Sequence, residues 1–84
     1  MHRTTKRFWQ CFYELPDAVQ ATAQESFQLL QANLRHPSLH FKKVGKFWSA
    51  RVDAEHRALA VDDEEGFVWV WIGRHDEYER LIQR

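Results

Sequence analysis

The sequence predicts an α+β fold: an N-terminal antiparallel helix hairpin packed on an antiparallel sheet of about four strands, followed by a short C-terminal helix. Three observations predict it. Up to His36-Pro37, apolar residues recur at helical spacing, and Pro16 divides that region in two. Beyond Pro37 the chain turns to short β-branched and aromatic runs separated by turn-forming residues. The stretch Gly66–Arg84, GFVWVWIGRHDEYERLIQR, opens with an apolar run between two glycines and closes with a helix-period segment.

Thr4 or Thr5 caps the first helix, where Phe8, Cys11, Phe12 and Leu15 form an apolar stripe flanked by Trp9 and Tyr13. Pro16 ends this helix and suits the first turn of the next, which runs from about Asp17 to Leu34. Val19, Ala23, Phe27, Leu30 and Leu34 mark its buried side, and Asn33 with His36-Pro37 stops it. Leu39 to Val44 reads as an edge strand and Gly45-Lys46 as a turn. Strands follow over Phe47 to Val52 and His56 to Val61, joined by Asp53-Ala54-Glu55. An acidic loop from Asp62 to Gly66 leads into the central strand, Phe67–Ile72. Tyr78, Leu81 and Ile82 share one side of the terminal helix. The element order is therefore α-α-β-β-β-β-α, and short links between consecutive strands imply antiparallel pairing.

Strict alternation along the strands sorts the side chains into two sets. Trp48, Ala50, Val52, Val68, Val70 and Ile72 fall under the helix hairpin, where Ala58 and Ala60 allow close approach. Arg51, Arg57, Leu59, Val61, Trp69, Trp71 and His75 fall on the opposite face. The terminal helix covers part of that face, and the remaining indoles are expected to form an exposed apolar patch that attracts a partner.

With 84 residues the chain is a single domain, residues 1–84. Its one cysteine, Cys11, lies on the packing stripe and allows no internal disulfide. No apolar run reaches the roughly 18 residues of a membrane span, and MHRTTKRFWQ lacks the apolar region of a secretory signal. A cytoplasmic location is the expectation. The net charge is zero, which argues against a general nucleic-acid binder. Yet Arg35, Lys42, Lys43, Lys46, Arg51 and Arg57, with three histidines, face only Asp53 and Glu55 in the same segment. One basic face on a neutral molecule is the result, or else a solvated lysine edge. His36, His40, His56 and His75 lack a ligand spacing, and one cysteine does not complete a zinc site, so neither metal nor cofactor is expected.

Several pieces together resemble the RelE/ParE superfamily of bacterial type II toxins. They are Leu15-Pro16, His36-Pro37-Ser38-Leu39, Phe41-Lys42, Trp48-Ser49-Ala50-Arg51-Val52, His56-Arg57-Ala58-Leu59 and Trp71-Ile72-Gly73-Arg74-His75-Asp76-Glu77-Tyr78. They span nearly the whole chain in order. The family's usual leading strand has only Met1 to Arg3 available here. The resemblance implies an RNA-facing concavity, a cognate antitoxin partner, and action on mRNA at the ribosome as an endoribonuclease, or mRNA interferase, that inhibits translation. It equally admits a ParE-like gyrase poison or an inactive toxin-fold protein that only binds an antitoxin. In the ribonuclease branch, Arg57 falls where an arginine meets the scissile phosphate, Arg51 where a basic residue precedes it, His75 at the strand-end histidine, and Tyr78 at the His-x-x-Tyr spacing. Lys42, Lys43, Lys46 and Arg74 would then bind RNA. An amphipathic antitoxin segment would cover the sheet or the hairpin, and without it a homodimer would.

The chemistry is consistent with that assignment. Cleavage at a 2′-hydroxyl needs a proton acceptor, a proton donor and a cation on the phosphorane-like transition state. Histidine serves either proton role near neutral pH, and the arginine fork matches phosphate oxygens. Tyrosine orients, donates a proton or stacks on a base. The structural alternatives are plain: His75 as a helix cap, Arg51 paired with Glu55 or Asp53, Arg57 paired with Asp76 or Glu77, Tyr78 as helix packing, and Trp69 and Trp71 as core.

Overall fold

The computed structural model describes residues 2–83. The chain forms β1 (His2–Thr4), α1 (Lys6–Tyr13), α2 (Asp17–Ala32), a 3-10 turn at Pro37–Leu39, β2 (Lys42–Val44), β3 (Phe47–Asp53), β4 (His56–Asp63), β5 (Gly66–Arg74) and α3 (His75–Ile82). The sheet order is β1-β5-β4-β3-β2. β1 runs parallel to β5, and the other neighbours are antiparallel. None of the described helices is long and apolar enough to cross a membrane.

The α+β architecture is as expected, with a correction at the edge: the described sheet has five strands and is mixed. Three residues suffice for β1, which pairs His2 with Phe67, Arg3 with Val68 and Thr4 with Trp69. Thr5 then ends the strand and starts the helix in one residue. Its backbone N–H and its hydroxyl both donate to the Trp69 carbonyl, at 3.1 and 3.2 Å, while Oγ1 accepts from Phe8 N at 3.1 Å. A run this short carries no visible period, so the sequence pattern starts at the helix. Arg3 adds an ion pair to Asp63 in the β4–β5 loop.

α1 packs chiefly on β5 and α2 on β3, rather than on each other. The hairpin is therefore splayed. A cleft of about 290 Å³ separates the helices, with Phe8 and Phe12 on one wall, Ala23 and Phe27 on the other, and Ala50 and Ala58 at its floor. α2 stops at Ala32, two residues before the expected Leu34, because Asn33 adopts an extended backbone. Its side chain instead accepts from Arg35 N at 3.0 Å.

The second correction lies inside β5. Leu59 pairs with Trp71 but Ala60 pairs with Trp69, so Val70 is an extra residue, a β-bulge. The bulge moves every side chain before it to the other face. Phe67, Trp69 and Ile72 join the helix-side core with Phe8, Phe12, Leu30 and the alanines, whereas Trp71 and Val70 pack with Leu59 and Tyr78. Trp69 is 2% exposed and Trp71 7%, so the expected patch of exposed indoles on the sheet does not form. In a run as uniformly apolar as Val68-Trp69-Val70-Trp71, either face accepts either residue, and alternation cannot reveal the insertion. Among the described residues, the large apolar side chains left exposed are Trp9, Tyr13 and Leu29, on the helices.

Candidate functional site

The site is built where β5 hands over to α3. Arg74 is still extended and α3 begins at once, so the chain folds back on the face opposite α1 and α2. Tyr78, Leu81 and Ile82 lie on one side of this helix and cover Leu59 and Trp71. The His75 amide donates to the Glu55 carbonyl at 2.7 Å, tying the start of α3 to the β3–β4 turn.

On this face Arg51 of β3 pairs directly with Arg57 of β4, which pairs with Gly73 of β5. Like charges placed directly opposite repel, and neither arginine forms an ion pair among the described residues. Arg57 instead donates through Nη1 to the carbonyls of Asp53 and His56, at 2.7 and 2.9 Å. Burial and the facing Arg51 charge lower the Arg57 pKa, against smaller opposing effects of Tyr78 and Asp53. The planar fork of an arginine matches the oxygens of a phosphate or carboxylate, so such a pair suits an anion.

His75 and Tyr78 stand beside it. Their rings are 5.5 Å apart, and Tyr78 is 6% exposed. The His75 side chain is 40% exposed, with Nδ1 3.3 Å from Glu79 Oε1 one helical turn on. That carboxylate lies on the Nδ1 side of the ring, away from Nε2. Gly73 has a steric reason: a Cβ there would lie 2.5 Å from Cζ2 of Trp71, whose indole lies against this glycine.

No protein-family model matches the chain, and no curated protein sequence does. Solved structures do match. A chain of the RelB-RelE antitoxin–toxin complex from Methanococcus jannaschii superposes with a TM-score of 0.74 at 11% identity, over 94% of this chain and 96% of that one. A chain of the RelBE2 toxin–antitoxin complex from Mycobacterium tuberculosis gives 0.65 at 23% identity, over 89% and 90%. A copper-bound mutant toxin from Helicobacter pylori gives 0.61 at 15% identity, over 90% and 94%. The fold is that of a RelE-like toxin.

Within this RelE-like fold the residues singled out from the sequence are distributed unevenly. Arg51, Arg57, His75 and Tyr78 gather around the start of α3. Lys42 pairs with Ser49 and so shares their face, one pleat from Arg51. Lys43 pairs with Trp48 on the helix side, its Nζ 5.7 Å from that ring. Lys46 sits in the β2–β3 turn at the far end of the sheet from Arg57, 5.4 Å from the Phe47 ring. Arg74 pairs with His56, on the opposite parity from Arg57, and its Nε lies 3.4 Å from Asp76 Oδ1 in an exposed pair.

Sequence reasoning missed three contributors: Gly73, the Glu55 carbonyl, and the pair formed by Asp53 and His56. His56 is 7% exposed, with Nδ1 2.9 Å from Asp53 Oδ1. Burial disfavours the Asp53 charge, but hydrogen bonds from His56 and from Glu55 N outweigh it and hold that carboxyl below its ordinary range. An aspartate and a histidine closing a two-residue turn is the only trace of this in the sequence.

Proposed function

We propose that the protein is the toxin of a type II toxin–antitoxin pair, acting in the cytoplasm as a metal-independent, ribosome-dependent mRNA endoribonuclease that inhibits translation. The observation that carries this reading is the pair Arg51 and Arg57, facing each other without a carboxylate beside a histidine and a tyrosine. Arg57 commits Nη1 to two carbonyls, so the scissile phosphate takes its Nε and Nη2 hydrogens. Arg51 holds a second phosphate oxygen, and the two cations stabilise charge that builds up in the transition state. The 2′-hydroxyl attacks phosphorus and the bond to the 5′-oxygen breaks. His75 moves the proton of one of these oxygens and water that of the other, leaving a 2′,3′-cyclic phosphate and a 5′-hydroxyl. Tyr78, its ring packed on Leu59 and Trp71, orients the His75 ring and the phosphate. Lys42 extends the cationic strip along the same face.

Two of the matched structures are toxin–antitoxin complexes by description, which supports an antitoxin as the partner. The apolar cleft between α1 and α2, beside exposed Trp9, suits an amphipathic antitoxin segment better than the closed indole face of the sheet. The zero net charge favours a second reading, a gyrase poison or a protein that only binds an antitoxin. Induced expression separates them. The ribonuclease reading expects growth and amino-acid incorporation to stop together, with Arg57→Ala restoring both at equal protein level. Arrest with a DNA-damage response and continuing incorporation would instead point to gyrase.

A further inference from the structure

We infer that His56 and Asp53 form a positioning pair: they lock the β3–β4 turn so that its carbonyls fix the Arg57 guanidinium and the start of α3 at His75. The functional consequence rests on the ribonuclease reading, but the positioning itself does not. The pair lies apart from the arginine face and has no role in the reaction proposed above. It is nevertheless a part-buried polar contact, with the His56 ring at a depth that usually favours an apolar residue.

Its geometry accounts for the choice. Asp53 Oδ1 receives two donors, His56 Nδ1 at 2.9 Å and Glu55 N at 2.8 Å. One carboxylate oxygen thus fixes both ends of the turn, Asp53 to His56. Every backbone carbonyl that anchors the site comes from that turn. Asp53 O and His56 O hold the Arg57 guanidinium, at 2.7 and 2.9 Å. Glu55 O holds the His75 amide at 2.7 Å and so sets where α3 begins. The register between β3 and β4 shifts at this point, between Arg51 and Asp53, so the strand ladder alone does not define the turn. Rotating any of these peptides would release Arg57 toward solvent, since Arg51 repels it and no acid forms an ion pair with it among the described residues. His56 and Asp53 touch neither phosphate nor base in this arrangement; they act through Arg57 and His75.

The test is NMR of the full-length chain, reading the Arg57 guanidinium and the His75 amide. In the wild type the Nη1 hydrogen bonds slow rotation about the Cζ–Nη1 bond, giving distinct η signals, and the His75 amide exchanges slowly. His56→Phe keeps the bulk and removes the donor; Asp53→Ala, at a partly exposed turn position, removes the acceptor. Both are expected to merge the Arg57 signals and speed His75 amide exchange about tenfold, the effect of losing roughly one net hydrogen bond. His56→Gln, whose amide donates to Asp53, is expected to restore both. Should one variant fail to fold, the other carries the comparison. Unchanged Arg57 and His75 signals in a folded variant that has merely lost melting temperature would overturn the inference. Titration with inorganic phosphate on the same samples keeps the two claims apart. A wild type that shows the restrained Arg57 yet binds no phosphate counts against the ribonuclease reading and leaves the positioning intact.

Discussion

The two faces of the sheet follow opposite rules. Under α1 and α2, small alanines of β3 and β4 meet Phe8, Phe12, Leu30 and Trp69, and nearly every contact is apolar. Under α3, a smaller apolar cluster of Leu59, Trp71 and Tyr78 supports two arginines that oppose each other. The first face gains stability from burial. The second gives some up, since facing like charges repel and Arg57 is desolvated. The contrast separates residues kept for the fold from residues that the fold tolerates. The proposed anion site requires cations left unneutralised, and the well-packed opposite face offsets that cost.

The largest effect should come from the packed face. Trp69→Ala is expected to cost about 3–5 kcal/mol in a urea or thermal unfolding curve, since the indole is fully buried and holds β1 through His2. Arg51→Ala, on the other face, should leave stability unchanged or raise it slightly, because it removes a repulsion. A Trp69→Ala loss under 1 kcal/mol would contradict the division.

Next comes the floor of the site. Gly73→Ala places a methyl where Trp71 now lies. Overpacking of this kind costs about 1–3 kcal/mol and should displace the indole, seen as a shifted tryptophan emission. Equal stability and unchanged emission would show that the indole has room to move.

The smallest effect is a pH dependence confined to β1. Burial lowers the His2 pKa below 6.5, and the Trp69 indole N–H donates to its Nδ1 at 3.1 Å, which requires that nitrogen to be unprotonated. The unfolded chain therefore binds the proton more readily. Stability from His2 is complete above pH 6.5 and is lost as pH falls through the lower folded value. Protection of the Trp69 indole against hydrogen exchange, taken relative to the intrinsic rate at each pH, should fall as pH drops below 7 while that of the β3 and β4 amides holds. A uniform change across the sheet would assign the effect elsewhere.

How far the sequence foretold this division depends on how local each signal is. The helices were legible because Thr5, Pro16 and Asn33 punctuate clear helical spacing. Arg51 and Arg57 were placed on one face because each lies on a clean alternating stretch on its own side of the turn. Trp69 was misplaced because alternation was carried across Val70, where a bulge leaves no mark in an all-apolar run. β1 was invisible because pairing with β5, not its own pattern, makes it a strand. The tie between Arg57 and two backbone carbonyls has no sequence signature, since a carbonyl belongs to every residue.

Arg51, Arg57, His75 and Tyr78 are proposed to act together on an RNA phosphate, and mapping transcript ends after induced expression is the decisive experiment. Wild type should generate new ends within ribosome-bound coding sequence, and His75→Ala at equal protein level should generate none. Intact transcripts with the wild type, or the same new ends with His75→Ala, would contradict it.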